Sequence, residues 1–173
     1  ELHVGATLQN VADGLCSMPH VPGRLHIKRL TKQVKILDDT YNANIGSVNA
    51  AIDLLSSFAG RKVMVLGDIA ELGEKAHYYH EQVGEYAKRK GIDKLYTLGV
   101  LSQSASDVFA EQGYHFSHLE QMVEHINQQI LPEKYDVSIL VKGSRSACME
   151  LVVKALEESP LGKLESVREQ PTC

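Results

Sequence analysis

The chain lacks what would tie it to nucleic acid, to a membrane or to an oxidising compartment. It has no run of lysines and arginines, and a formal net charge of -4 over 173 residues has the wrong sign for a phosphate backbone. No apolar stretch approaches the roughly 20 residues of a membrane span, and no leader with a basic start and an apolar centre is present. A cytoplasmic protein with no nucleic-acid and no membrane partner is the expectation. Cys16, Cys148 and Cys173 are odd in number and fit neither a disulfide framework nor a metal-ligand spacing, so they read as free thiols. Neither the GxxxxGKS/T loop nor the GxGxxG fingerprint occurs, which excludes both familiar cradles for a nucleotide's phosphates. The helical HExxH pattern is also missing: His77, His80 and Glu81 come near it, but position 84 is Gly84. No internal repeat is found, and a start at Glu1-Leu2-His3 without methionine reads as the interior of a longer protein.

What is present is an alternation. Val34-Lys35-Ile36-Leu37, Arg61-Lys62-Val63-Met64-Val65-Leu66, Lys94-Leu95-Tyr96-Thr97-Leu98, Tyr114-His115-Phe116 and Val137-Ser138-Ile139-Leu140-Val141 are short apolar runs. Stretches with apolar residues at helical spacing separate them, over about 46–58, 77–90, 102–111, 119–130 and 149–156. Five rounds of strand and helix predict an α/β, Rossmann-like, mostly parallel sheet with helices on both faces. Residues 24–30 alternate apolar and polar and are expected to turn back on 34–38 as a hairpin. Residues 8–15 form one short helical stripe before Pro19, Pro22 and Gly23, which suggests a preceding domain and a hinge over 1–22. The stretch 159–173, with two prolines, suggests a loose tail.

Chemistry concentrates where apolar strands end. Asp38-Asp39-Thr40-Tyr41-Asn42-Ala43-Asn44 joins a strand to a helix, Asp68 ends another strand, and Lys142, Ser144 and Arg145 end the last. In a parallel sheet these ends share one edge, where ligands collect and helix N-termini offer unpaired N–H groups. Aspartates there accept from a ribose hydroxyl or bind a metal, and two cations suit a phosphate or carboxylate. A second reading stands beside this one. Asn44 or Ser47 would cap the helix, the aspartates would be solvated, Ser144 would cap the last helix, and the cations would face water.

Four ordered motifs carry a resemblance. Pro22-Gly23-Arg24-Leu25; Asp38 to Asn44 with Ala50-Ala51-Ile52; Leu66-Gly67-Asp68 with Glu71-Leu72-Gly73 and His80; and Val141-Lys142-Gly143-Ser144-Arg145 with Met149-Glu150 together resemble the carboxy-terminal domain of the Mur ligase family. The likeness is to the branch that joins D-alanyl-D-alanine to UDP-MurNAc-tripeptide. It implies a ligase of peptidoglycan precursor synthesis that uses ATP and Mg2+ and activates a carboxylate as an acyl phosphate. Residues 23–158 would be the carboxy-terminal domain, and 1–22 the end of the ATP-binding central domain with the hinge. The family's amino-terminal and central domains would have to supply the phosphate loop and the magnesium ligands. By resemblance, Arg24 and Asp39 contact ATP, Tyr41 and Asn42 lie in the same loop, and Lys142, Ser144 and Arg145 lie near the peptide substrate. Asn44, Asp68 and His80 match the family without an assigned role. The implied fragment has no catalytic residue and no metal site of its own.

A rival is a phosphoacceptor receiver domain, whose acidic pair, aspartate, hydroxyl and lysine are imitated by Asp38 with Asp39, Asp68, Thr97 and Lys142. Their spacing fits a receiver poorly, and Asn42 and Asn44 would have no role in one.

Overall fold

The computed structural model describes residues 23–163. Within them, strands β1 (His26–Arg29), β2 (Val34–Asp39), β3 (Arg61–Gly67), β4 (Lys94–Leu98), β5 (Gly113–Phe116) and β6 (Val137–Lys142) form one sheet in the order β1-β2-β6-β3-β4-β5. β1 runs antiparallel to β2 as the expected hairpin, and every other pairing is parallel. Helices α1 (Ile45–Ser56), α2 (Ala76–Arg89), α3 (Gln103–Asp107), α4 (Leu119–Ile130), α5 (Glu150–Glu158) and α6 (Pro160–Lys163) complete the described fold.

The continuous apolar runs are the reason for the layering, because a parallel strand covered on both sides needs hydrophobes at odd and even positions alike. Ile36, Val63, Val65, Ile139 and Val141 point to one side and are buried with Met122, Ile126, Val152, Leu156 and Leu161 of α4, α5 and α6. Leu37, Met64, Leu66 and Leu140 point to the other and are buried with Val48, Ile52, Leu55, Val83 and Phe109 of the α1, α2 and α3 side. Each buried aliphatic side chain contributes on the order of 1.5–3 kcal/mol, and two such layers account for a stable three-layer domain.

Two expectations change. The helix expected over 102–111 stops at Asp107 and is followed by a 3-10 turn, Ala110–Gln112, because Ala110 takes a left-handed conformation (φ 51°) that no α-helix accommodates. The loose tail expected from residue 159 is folded at its start. Leu161 is buried, and Asn127 on α4 accepts hydrogen bonds from Ser159 Oγ (2.9 Å) and Leu161 N–H (3.0 Å), pinning α6 to the domain. The helix expected over 8–15, Cys16, Cys173 and residues 164–173 lie outside the described residues.

Candidate functional site

β2 and β6 are parallel neighbours in which Asp39 stands opposite Lys142. Successive strand residues face opposite sides, so Asp39 and Lys142 turn toward α1, whereas Asp38 turns toward α5. The Lys142 ammonium is 2.6 Å from Asp39 Oδ2 and donates to the carbonyl of Asn42 at 3.0 Å; Lys142 is 1% exposed. Asp39 Oδ1 accepts the N–H of Leu25 at 3.2 Å. The acidic loop is thus tied to the segment preceding β1, a connection reinforced by Tyr41 N–H donating to the Gly23 carbonyl at 2.8 Å. Glycine is required at position 23: its φ is +77°, and a Cβ there would lie 2.8 Å from the Tyr41 nitrogen. The Arg24 guanidinium lies over the Tyr41 ring, 4.6 Å from its centroid, and Tyr41 is 43% exposed. These residues line a cleft of about 430 Å3 with Asn42, Asn44 and Ser47.

Several expected site residues have structural partners. Asn44 caps α1 in a reciprocal box, accepting Ser47 N–H at 2.8 Å while its own N–H donates to Ser47 Oγ at 3.1 Å. The Asn42 side-chain oxygen accepts the N–H of Ala43. Ser144 does not cap a helix with its side chain: a 3-10 turn, Arg145–Ala147, follows it, and α5 begins only at Glu150. It is buried, with its hydroxyl accepting Ala70 N–H at 2.7 Å and its own N–H donating to the Asp68 carbonyl at 3.0 Å, so it staples the ends of β3 and β6 together. Asp68 Oδ1 accepts the N–H groups of Leu101 (3.0 Å) and Ser102 (2.7 Å), fixing the loop after β4.

His80 is fully buried on α2, and its role is a pin. Its Nε2 accepts Ile69 N–H at 2.9 Å, which leaves the ring proton on Nδ1 to donate to the Ala76 carbonyl at 2.7 Å. Burial holds its pKa below the usual 6.5, against the raising effect of the Ala76 hydrogen bond. Gly84, one turn further along α2, lets α3 approach so closely that a Cβ would meet the Ala105 carbonyl.

Lys142 and Arg145, expected side by side, are separated. Arg145 is exposed, pairs with Glu150 at 3.1 Å, and borders a recess of about 310 Å3 with Asp38, Lys28 and Glu157 on the α5 side of Tyr41. The solvated aspartates of the second reading are not found: Asp38 accepts from Thr40 Oγ1 at 2.7 Å and Asp39 holds a buried cation. Strand alternation alone would have parted Asp38 from Asp39, whereas Arg145 lies beyond the end of β6, in the turn that carries it away from Lys142. Sequence reasoning also missed Leu25, whose left-handed φ of 46° aims its N–H at Asp39. A third cleft was missed too, about 490 Å3 at the same sheet edge, lined by Asp68, Gly99, Val100, Ser146, Cys148 and Leu151. Only the exposed apolar Val100 and Leu151 could have hinted at it. The receiver arrangement is not formed, because Asp68 is spent on backbone N–H groups, Thr97 is buried against Ser106, and Lys142 pairs with Asp39.

Residues 23–145 match the family model described as Mur ligase, glutamate ligase domain. The chain is 42% identical over 158 residues to the UDP-N-acetylmuramoyl-tripeptide–D-alanyl-D-alanine ligase of Escherichia coli (strain K12), covering 91% of the chain and 34% of that protein. It is 31% identical over 166 residues to the enzyme of the same name from Bacillus subtilis (strain 168), covering 92% and 36%. A crystal structure of MurF from Acinetobacter baumannii superimposes with a TM-score of 0.79 at 29% identity, over 90% of this chain and 35% of that one. MurF ligase from Thermotoga maritima in complex with ADP superimposes with a TM-score of 0.70 at 28% identity, over 90% and 38%. The chain therefore spans about a third of the length of the curated relatives it matches. On these residues, this sheet and these matches, the chain belongs to the Mur ligase family and contains its glutamate ligase domain.

Proposed function

We propose that this chain is the carboxy-terminal domain of a cytoplasmic, ATP-dependent ligase that adds D-alanyl-D-alanine to UDP-MurNAc-tripeptide in peptidoglycan precursor synthesis, and so serves cell-wall growth, cell shape and division. Residues 23–158 form that domain with 159–163 folded onto it, and 1–22 belong to the end of the central domain and the hinge. The reaction named for the relatives supports this one, and an ADP complex among the structural neighbours supports the nucleotide. Within the chain, the observation that carries the reading is the Asp39 cleft at the carboxyl edge of the sheet.

The cleft suits the nucleoside end of ATP. An ionised carboxylate has about four acceptor positions; Leu25 N–H and Lys142 take two of them on Asp39, which leaves two for ribose hydroxyls. Tyr41 offers an exposed ring and Arg24 a planar cation above it, a surface on which a base stacks. About 430 Å3 is within the range of small-molecule sites. Magnesium does not fit here. Among the described residues Asp39 is the one carboxylate lining this cleft and already holds an ammonium, and no group of three His, Cys, Asp or Glu converges there or elsewhere in them. Mg2+ and the triphosphate are assigned to the family's central domain, and ATP supplies there the phosphoryl group that activates the tripeptide carboxylate. This domain binds the nucleoside, orients the second substrate and excludes water from a reactive acyl group.

For the peptide substrates, the earlier expectation for Lys142, Ser144 and Arg145 is carried forward as a direct contact for Arg145 alone. Its turn, Arg145–Ala147, also walls the third cleft, whose small and apolar lining suits alanyl side chains. The test is the full-length protein supplied with ATP, Mg2+, UDP-MurNAc-tripeptide and D-alanyl-D-alanine. The expected outcome is stoichiometric ADP and UDP-MurNAc-pentapeptide, with Arg145→Ala lowering the rate by one to two decades, as loss of one charge-assisted contact of about 1.5–3 kcal/mol would do. No pentapeptide would remove the proposal, and a wild-type rate for Arg145→Ala would remove Arg145 from the site.

A further inference from the structure

We infer that Lys142 is a positioning residue of the nucleoside cleft, acting through Asp39, and not a contact for the peptide substrate. The inference rests on the nucleoside reading of that cleft. Lys142 leaves the sheet on the α1 side, away from the recess of Arg145 and Glu150, so the two cations following β6 serve different spaces. Its ammonium lies beneath Asp39, with the side chain 2% exposed. Lys142 also lines the cleft, but at 2% side-chain exposure against 19% for Asp39, so a molecule entering it meets chiefly the carboxylate above the cation.

The two bonds of Lys142 hold the two ends of the loop. One fixes Asp39 Oδ2 at 2.6 Å, and the other fixes the Asn42 carbonyl at 3.0 Å, three residues on. Between them stands Tyr41, 43% exposed, which among the described residues is held by the backbone bond to Gly23 and by the Arg24 stack. One buried ammonium thus sets the carboxylate that would take the ribose and restrains the loop that carries the aromatic face. Such preorganisation raises affinity by removing the ordering cost from the binding step.

The experiment uses the full-length protein with Lys142→Gln, which keeps an N–H donor but no charge, Asp39→Asn, and the double variant, in which no charge is left unpaired. Lys142→Gln is expected to raise the KM for ATP tenfold or more, with the KM for D-alanyl-D-alanine and for UDP-MurNAc-tripeptide within twofold of wild type. In the Asp39→Asn background the same substitution is expected to change the ATP KM by less than twofold, since the carboxylate it acts through is gone and the Gln amide retains a donor for the Asn42 carbonyl. Additive effects in the double variant, or a rise confined to a peptide-substrate KM, would overturn the inference by making Lys142 a ligand contact. A shared fall in kcat with every KM unchanged would overturn it in favour of a merely structural role. Should Lys142→Gln fail to fold, ADP titration of the double variant against Asp39→Asn gives the same comparison, with equal affinities expected. An Asp39→Asn variant with wild-type ATP KM would instead overturn the nucleoside reading, and this inference with it.

Discussion

At the scale of single residues, the ion pair between Asp39 and Lys142 changes what a substitution should do. An acidic loop residue read from sequence has little part in stability, yet Asp39 neutralises a cation that is 1% exposed. Removing one member of a buried pair typically costs roughly 3–5 kcal/mol, because the remaining charge is stranded. Asp39→Ala is therefore expected to lower the melting temperature markedly as well as raise the KM for ATP; Asp39→Asn also leaves the ammonium without a counter-charge but still accepts from it, so its melting temperature should fall less, with nucleotide affinity lost as well. Differential scanning calorimetry beside steady-state kinetics checks both; an unchanged melting temperature for Asp39→Ala would mean that the pair does not hold in solution. His80 gives a pH dependence. Its folded pKa is depressed below 6.5, so as pH falls through 6.5 the unfolded chain takes up the proton first, and stability present above that pH is lost toward the folded value. Urea midpoints at pH 7.5 and 5.5 are expected to differ more in wild type than in His80→Gln. The residual slope includes His125, whose pKa is likewise held down by burial, with the charge of Lys94 adding to it.

At the scale of elements, Asn44 is a cap, and Asn44→Ala is expected to cost about 1 kcal/mol of stability, read by thermal denaturation. The α4–α6 latch predicts a larger effect. Asn127→Ala strands the Leu161 N–H in a buried setting, at roughly 1–3 kcal/mol, while the Ser159 hydroxyl keeps the Leu156 carbonyl as its acceptor; the loss is read as an earlier urea midpoint and faster proteolysis after Glu158. Strands and long helices were legible because both depend on local pattern: Val63 to Leu66 or Val137 to Val141 cannot be buried on both sides except in a covered sheet. The site was legible as a set of strand ends but not as a set of partners. Whether Ser144 faces a ligand or staples Ala70 depends on contacts 74 residues apart, and the partner that folds residues 159–163 down is an asparagine 32 residues earlier. Neither leaves a mark in spacing. The split of Asp38 from Asp39 was available from the pleat and went unread.

At the scale of the whole molecule, the proposed function has one cleft take a nucleoside and a carboxyl edge crowded with polar loops close over a reaction centred elsewhere. The isolated chain is expected to show no ATP-dependent ligation, and to bind ADP only with a dissociation constant on the order of 0.1–1 mM, because its contacts reach the ribose and base and leave the phosphates in water. Isothermal titration decides this: a micromolar constant would mean that the domain holds the phosphates after all.

The loops at the carboxyl edge are pinned by side chains and not by a strand ladder. The Ile69, Ala70, Leu101 and Ser102 amides are held by His80, Ser144 and Asp68. Loop amides ordinarily trade their hydrogens with water almost freely, whereas these four must wait for a cooperative opening. In deuterated solvent they should label as slowly as the interior of β3, before any ligand arrives. The rim at the carboxyl edge is accordingly expected to be among the slowest parts of the described domain to open, and Ser144→Ala should release the Ala70 amide to fast labelling while leaving those of Leu101 and Ser102 slow.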